Sequence, residues 1–303
     1  MPKITKLQLI TNLCEDAASK ISVSSTGSIT QADFGESRLL ENEIYFHNMD
    51  KNELIAAIIG LTKILSPTPN LTWINEDQLY LWAWCAQIFA DSDTPIRHEL
   101  QFDTLHFMRI VTHATLSRHN EFAFIGAGIN IGVHSRAVLG HIPQLVIFLT
   151  LPLLERLLRF CCREYVDFDG KVVKAFSSEQ SRKSYKLNSR CSNLGHLIEL
   201  YIAQYSLNLE KQCAIKLLTM LETTQRNFDI ASWLFKLRNS ALHGEKISSN
   251  ASAIILNICF SLCLGEISSA EYESERDRIY PNALFWIDSN SDRPHWSIYP
   301  PDL

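Results

Sequence analysis

Apolar residues recur every three or four positions over most of the chain, the spacing of helices with one buried face. A first such run covers Leu7 to Lys20, and the serine- and threonine-rich stretch Ser22 to Thr30 reads as a loop. Asp50 is placed to cap a helix carrying Leu54, Ile55, Ile58, Ile59, Leu61, Ile64 and Leu65, which Ser66-Pro67 ends. Asn75 caps the next, Glu76 to Ala90, with Leu79, Leu81, Trp82, Trp84 and Phe89. Aromatics at this spacing belong to a core rather than to a base-stacking face. Thr94-Pro95 opens a third helix through Leu105, Phe107, Met108 and Ile110 towards Leu116.

Phe124 to Gly132 is glycine-rich but lacks the strand-loop-helix context and the spacing of a nucleotide-binding loop, so it reads as a connection. The helical pattern resumes from Leu145 to Tyr165, where Pro152 either starts the helix or kinks it. Residues 166–190 form a long polar connection holding Lys171, Lys174, Arg182, Lys183, Lys186 and Arg190 with little acid. It is the concentrated basic stretch of the chain, suited to backbone phosphates and equally to a solvated loop. Helices are expected over 192–205, 208–222 and 229–243, and from Ser248 or Asn250 through Ile254, Ile255, Ile258, Phe260 and Leu264. Beyond Glu266 the chain turns charged from Glu271 to Arg278 and then reads as an extended tail packed by its aromatics, ending in Trp286, Trp296 and the three prolines that follow Trp286.

The end of the 229–243 helix carries the candidate chemistry. Trp233, Leu234, Leu237 and Ala241 make its apolar stripe, and Gly244 stops it, since glycine takes the left-handed conformation without steric cost. His243 falls in the last turn, where the negative end of the helix dipole favours a cation. Asn239 lies one turn below it on the same face, with Arg238 rotated away. An arginine, an amide and a histidine at one helix end can bind a phosphodiester and move its proton. Spacing alone decides nothing, because Arg136–His141 and Arg190–His196 have similar spacing. What sets 238–243 apart is Arg-Asn, His-Gly and the strongly apolar helix leading in. An ordinary helix C-terminus is the plain alternative. Upstream, Glu155, Arg159 and Arg163 occupy i, i+4 and i+8, opposite Leu154, Leu157, Leu158 and Cys161. They are either a solvated face, or Glu155 and Arg159 project towards the motif helix.

Composition narrows the field. The 303 residues are 46% hydrophobic and 20% charged, ordinary for a folded chain with a sizeable core. A net charge of −5 gives no global case for nucleic acid, so any RNA site must be a local patch. The eight cysteines form no C-x-x-C pair, which points to buried free thiols in a reducing compartment, the cytoplasm, and against structural zinc. No secretory signal opens the sequence. The apolar runs Leu145–Leu154 and Ala251–Gly265 fall short of the roughly 20 residues a membrane helix needs. No membrane span is expected.

The Arg238-Asn239-x-x-x-His243-Gly244 ending resembles the HEPN superfamily of all-helical ribonuclease and RNA-processing domains. Leu151-Pro-Leu-Leu-Glu155-Arg-Leu-Leu-Arg159, Asn193-Leu-Gly-His196-Leu-Ile and Asp229-Ile230 resemble the subgroup that includes the endoplasmic reticulum membrane-associated RNA degradation proteins. The likeness spans roughly residues 140 to 265. With the periodicity of the rest, the expected chain is all-α: a helical N-terminal region over 1–138, a bundle over 139–265 that the likeness implies is HEPN-like and antiparallel, and a charged and aromatic tail over 266–303. The likeness further implies a homodimer that brings two Arg-x4-His motifs around one RNA backbone. Arg238, Asn239 and His243 would be catalytic, and neither metal nor cofactor would be needed, because the nucleophile is the substrate's own 2′-hydroxyl. An antitoxin or other regulatory protein fits the same resemblance. Many members only bind RNA or a protein, so a non-catalytic scaffold stands as the second reading.

Overall fold

The computed structural model describes residues 4–23, 37–65, 75–91, 104–112, 114–115, 142–178, 182–191, 193–224, 229–245 and 249–288. The Thr94-Pro95 cap, the glycine-rich stretch 124–132 and the residues beyond 288 lie outside them. Among the described residues the chain is all-α apart from one small hairpin. Its helices are α1 (Lys6–Val23), α2 (Arg38–Glu41), α3 (Lys51–Leu65), α4 (Glu76–Ala86, continued by a π-helical turn Gln87–Asp91) and α5 (104–112). They continue with α6 (Ile142–Cys161), α7 (Leu194–Tyr205), α8 (Gln212–Thr224), α9 (Ile230–Leu242), α10 (Ser249–Leu264) and α11 (Ser269–Asp288).

The expected caps operate. Asp50 and Glu53 form a reciprocal pair at the start of α3: the Asp50 carboxylate accepts from the Glu53 N–H at 2.9 Å, and the Glu53 carboxylate accepts from the Asp50 N–H at 3.0 Å. Asn75 accepts from the Gln78 N–H at 3.0 Å. Pro152 does not start α6. The helix runs through it from Ile142, with the proline on the exposed side and Leu151, Leu153 and Leu154 buried.

The core is one contiguous cluster with α10 at its centre. Every residue from Asn250 to Gly265 is buried, as expected of a helix that is apolar all round. Helices α3, α6 and α8 pack on it from different sides, α1 covers α3, and α7 lies between α6 and α9. Four buried polar residues interrupt α10's apolar surface, Asn250, Ser252, Asn257 and Ser261, and Asn257 is the most fully bonded. The fully buried Asn257 Oδ1 accepts from Trp82 Nε1 at 2.7 Å and Gln78 Nε2 at 3.1 Å. Its Nδ2 donates to Thr62 Oγ1 at 2.8 Å and Gln78 Oε1 at 3.3 Å. All four bonding positions of the amide are filled, from α3 on one side and α4 on the other.

Two expectations need correction. Residues 166–190 are not a plain loop: β1 (Phe176–Ser178) pairs antiparallel with β2 (Lys183–Tyr185), and the bridges Val166–Val172 and Lys171–Arg190 fold the rest into an arm. Val166, Val172, Phe176, Tyr185 and Cys191 bury apolar atoms beneath it. Residues 269–288 are helix α11 rather than extended tail. It docks on the N-terminal elements through Trp84 Nε1 to Tyr272 Oη at 3.3 Å, Arg276 Nη1 to the Met49 carbonyl at 3.2 Å, and His47 stacked on Tyr280 at 4.0 Å between ring centroids. The eight cysteines are free and buried, and burial pushes their thiols up.

Replacing Asn257 by Leu strands the Trp82, Gln78 and Thr62 groups, and the expected loss is about 3–5 kcal/mol in urea unfolding; a loss under about 1 kcal/mol would mean the amide cluster does not hold the helices. A second expectation concerns pH. Asp77 is buried under α2, where it accepts from the Ser37 hydroxyl and the Arg38 and Leu39 N–H groups; burial outweighs those bonds and raises its carboxyl to about 6. Its stabilising contribution is therefore complete below about pH 4 and lost as pH rises through 6. Buried His47, lowered to about 4 by desolvation and then by Lys6, acts in the opposite sense: its contribution is complete above 6.5 and lost as pH falls through 4. The two slopes oppose each other over one window. His47→Phe should expose a stability that falls as pH rises from 4 to 6, by about 3 kcal/mol at most; Asp77→Asn should expose the reverse. Identical pH profiles for both variants would contradict this assignment.

Candidate functional site

Helix α9 is fixed at both ends by its own sequence. At the start, the Asp229 carboxylate accepts from the Ala231 N–H at 3.0 Å and from Ser232 Oγ at 2.5 Å. At the end, Gly244 sits at φ +73°, its N–H bonds the Ala241 carbonyl at 3.0 Å, and the Glu245 N–H bonds the Ser240 carbonyl at 2.9 Å. This is a Schellman ending. A Cβ at 244 would meet nothing within 4 Å, so the dihedral alone demands glycine. The buried stripe is Ile230, Leu234, Leu237 and Ala241. Trp233 is only half-buried, packed on the cluster's edge, because it lies one position off the line that faces α6 and α7.

The structure brings part of the expected constellation together. His243 is the exposed C-cap, and its N–H bonds the Asn239 carbonyl at 3.0 Å; Asn239 is half-buried one turn earlier. Arg238 Nη2 stands 3.9 Å from Glu155 Oε2 on α6, whose Oε1 accepts from Arg159 Nη2. Arg159 Nη1 in turn donates to the Phe168 carbonyl at 2.9 Å. Glu155 and Arg159 thus project towards α9 and the arm, not into solvent. Arg163, in line with them by spacing, bonds Glu266 at 2.9 Å instead. A half-exposed ion pair such as Arg238–Glu155 adds under about 1 kcal/mol. Its effect is to aim the guanidinium.

Lys171, Lys174, Arg182, Lys183, Lys186 and Arg190 are all exposed on the arm. Two lie over tyrosine rings, Lys174 Nζ at 4.5 Å from the Tyr165 centroid and Lys183 Nζ at 4.9 Å from that of Tyr185. The Arg159 bond to Phe168, continued through Glu155 to Arg238, is one link from this basic arm to the motif helix.

One feature was not legible as a site. The first turns of α7 and α9 meet so closely that a Cβ at Gly195 would stand 3.1 Å from the Ala231 carbonyl oxygen. Beside this contact a cleft of about 230 Å³ is lined by Asn193, His196, Glu199, Asp229, Ser232 and Phe235. Asn193 caps α7 through the Gly195 N–H at 2.9 Å. His196 Nδ1 shares a short hydrogen bond with the Tyr185 hydroxyl of β2, and Glu199 one with Ser178 of β1. Burial, with the nearby Lys183 charge, pushes the His196 imidazole below the usual histidine range. Among the described residues no three His, Cys, Asp or Glu side chains converge as a metal site requires. No single helix there is long and apolar enough to cross a membrane.

Set against protein-family models, characterised proteins and solved structures, the chain matches none.

Gly244→Ala forces a β-carbon into the left-handed region and should destabilise the chain by about 1–2 kcal/mol in chemical unfolding. An unchanged midpoint would mean the helix end re-forms without that turn.

Proposed function

We propose that the chain is a metal-independent endoribonuclease acting as a homodimer. The observation that carries this reading is the ending of α9: Arg238 steered by Glu155, with Asn239 and then exposed His243 one turn further on. His243 takes the proton from a ribose 2′-hydroxyl, whose oxygen attacks the adjacent phosphorus. The 5′-oxygen leaves and receives a proton from the counterpart histidine of the second copy. The products are a 2′,3′-cyclic phosphate and a 5′-hydroxyl. Arg238 neutralises charge building on the phosphoryl oxygens, and Asn239 orients the reacting groups. A single motif supplies one base and one guanidinium; a two-fold pair supplies both proton carriers, and cyclic dimers are the commonest closed assembly. The exposed Leu145 and Phe148 on α6 offer that pairing apolar surface. The arm's lysines and arginines are the candidate backbone contacts. The buried free thiols fit a reducing compartment such as the cytoplasm.

A second reading is favoured by one specific observation. The Schellman ending accounts for Gly244 in full, and His243 is its cap, so His-Gly also serves a non-catalytic module that binds RNA or protein.

Purified protein incubated with total RNA in EDTA should cleave it. His243→Ala and Arg238→Ala should each lower cleavage at least 100-fold with little change in melting temperature, both being surface positions at a helix end. Absence of cleavage by the unaltered chain favours the scaffold. A fully active chain that light scattering shows to be monomeric at micromolar concentration rules out the composite site.

A further inference from the structure

The cleft between α7 and α9 plays no part in the cleavage chemistry, yet it gathers the sequence features Asn193-Leu-Gly-His196 and Asp229-Ile230 in one place. We propose that it holds a single unstacked RNA base, and that its chemistry selects guanine. This rests on the ribonuclease reading for its placement on the substrate.

The walls define the occupant. Phe235, 47% exposed, offers an aromatic face at the cleft on which a base can stack. Glu199 and Asp229 present carboxylate oxygens, which accept hydrogen bonds and, when ionised, donate none. Each is oriented by bonds from its own surroundings, Glu199 by Ser178 and Asp229 by Ala231 and Ser232. Two carboxylates repel a phosphate and favour an edge rich in N–H. Among the bases, guanine alone places a ring N–H beside an exocyclic amine on one edge. Uracil has a single N–H and no amine. His196, tied at Nδ1 to Tyr185, can meet a base acceptor or donor through Nε2. The volume of about 230 Å³ admits one planar heterocycle and excludes a duplex, whose bases stay stacked.

The placement is consistent with the proposed cut. Ser232, Phe235, Asn239 and Leu242 fall at i, i+3, i+7 and i+10, so they share one face of α9. At 1.5 Å per residue, Phe235 and His243 are about 12 Å apart along the helix. A short single strand can run along that face with one base in the cleft and a nearby phosphodiester at the motif. Guanine would then sit at a fixed offset from the cut.

The test uses the full chain and a short single-stranded RNA holding one guanosine, with 2′-O-methyl riboses to prevent cleavage, titrated calorimetrically. Replacing the guanosine by inosine removes only the exocyclic amine and should weaken binding about tenfold; uridine should weaken it at least as much. Phe235→Ala, at a surface position, should weaken binding about tenfold, and Glu199→Gln should bring the guanosine and inosine strands to equal affinity. Free guanosine, titrated separately, separates a nucleoside site from a strand site: binding much weaker than the strand's supports a base held within RNA, whereas equal binding overturns that placement. Equal affinity of the unaltered chain for all strands, unchanged binding in Phe235→Ala, or unchanged discrimination in Glu199→Gln overturns the proposal. The two readings fail separately. Chelator-resistant cleavage without guanine preference refutes the cleft alone, and guanine-selective binding without cleavage refutes the ribonuclease alone.

Discussion

A buried amide in the middle of an apolar helix governs the arrangement of the rest. The hydrophobic face of α10 would accept neighbouring helices in many registers, because apolar contact is non-directional. Asn257 removes that freedom. Its amide finds four partners only when Thr62 on α3 and Gln78 and Trp82 on α4 stand at one height and one rotation around it. Any slip leaves a polar group buried without a partner, at a cost larger than the net gain from one ordinary hydrogen bond. The N-terminal helices are thereby locked to the helix that also carries α6 and α8, and through α6 to the side chains that meet the motif.

Helix starts and stops were legible where single residues dictate them, as Asp50, Asn75 and Gly244 do, whereas the caps at Asn193 and Asp229 show only in the folded chain. The hairpin was not legible, since Phe-Ser-Ser and Lys-Ser-Tyr are too short and polar to show a period of two; it is held by Phe176 stacked on Tyr185 at 4.7 Å. Helix α11 was obscured by its dense charge and by Pro281 inside it. At the site, the stretch from Arg238 to His243 was readable because it is continuous. The steering of Arg238 by Glu155 was only one of two open readings, because the residues are 83 positions apart and nothing in α6 alone says which way Glu155 turns. The cleft unites Asn193 with Asp229 and depends on Gly195 being small, so no local pattern announces it.

Capping and the proposed chemistry fall on the same residues at the end of α9, the first on their backbone and the second on their side chains. The turn that finishes the helix also holds His243 outside it, with the Asn239 carbonyl engaged by the backbone rather than free for a ligand. Rigid presentation of this kind is what catalysis needs from a scaffold. It also means that substitutions at Asn239, His243 and Gly244 affect backbone geometry and chemistry to different degrees, and only a comparison among them separates the two roles.

The position of α10 in the chain bears on how the protein is made. Helices α3, α4 and α6 leave the ribosome before residues 249–264 exist, and each displays an apolar face whose partner is still to come. Contacts this distant in sequence form slowly, because the loop they close is long. The growing chain therefore carries exposed hydrophobic surface through most of its synthesis, and its final packing waits for one late segment. Such a chain depends on chaperone protection during translation more than a bundle built from neighbouring helices does.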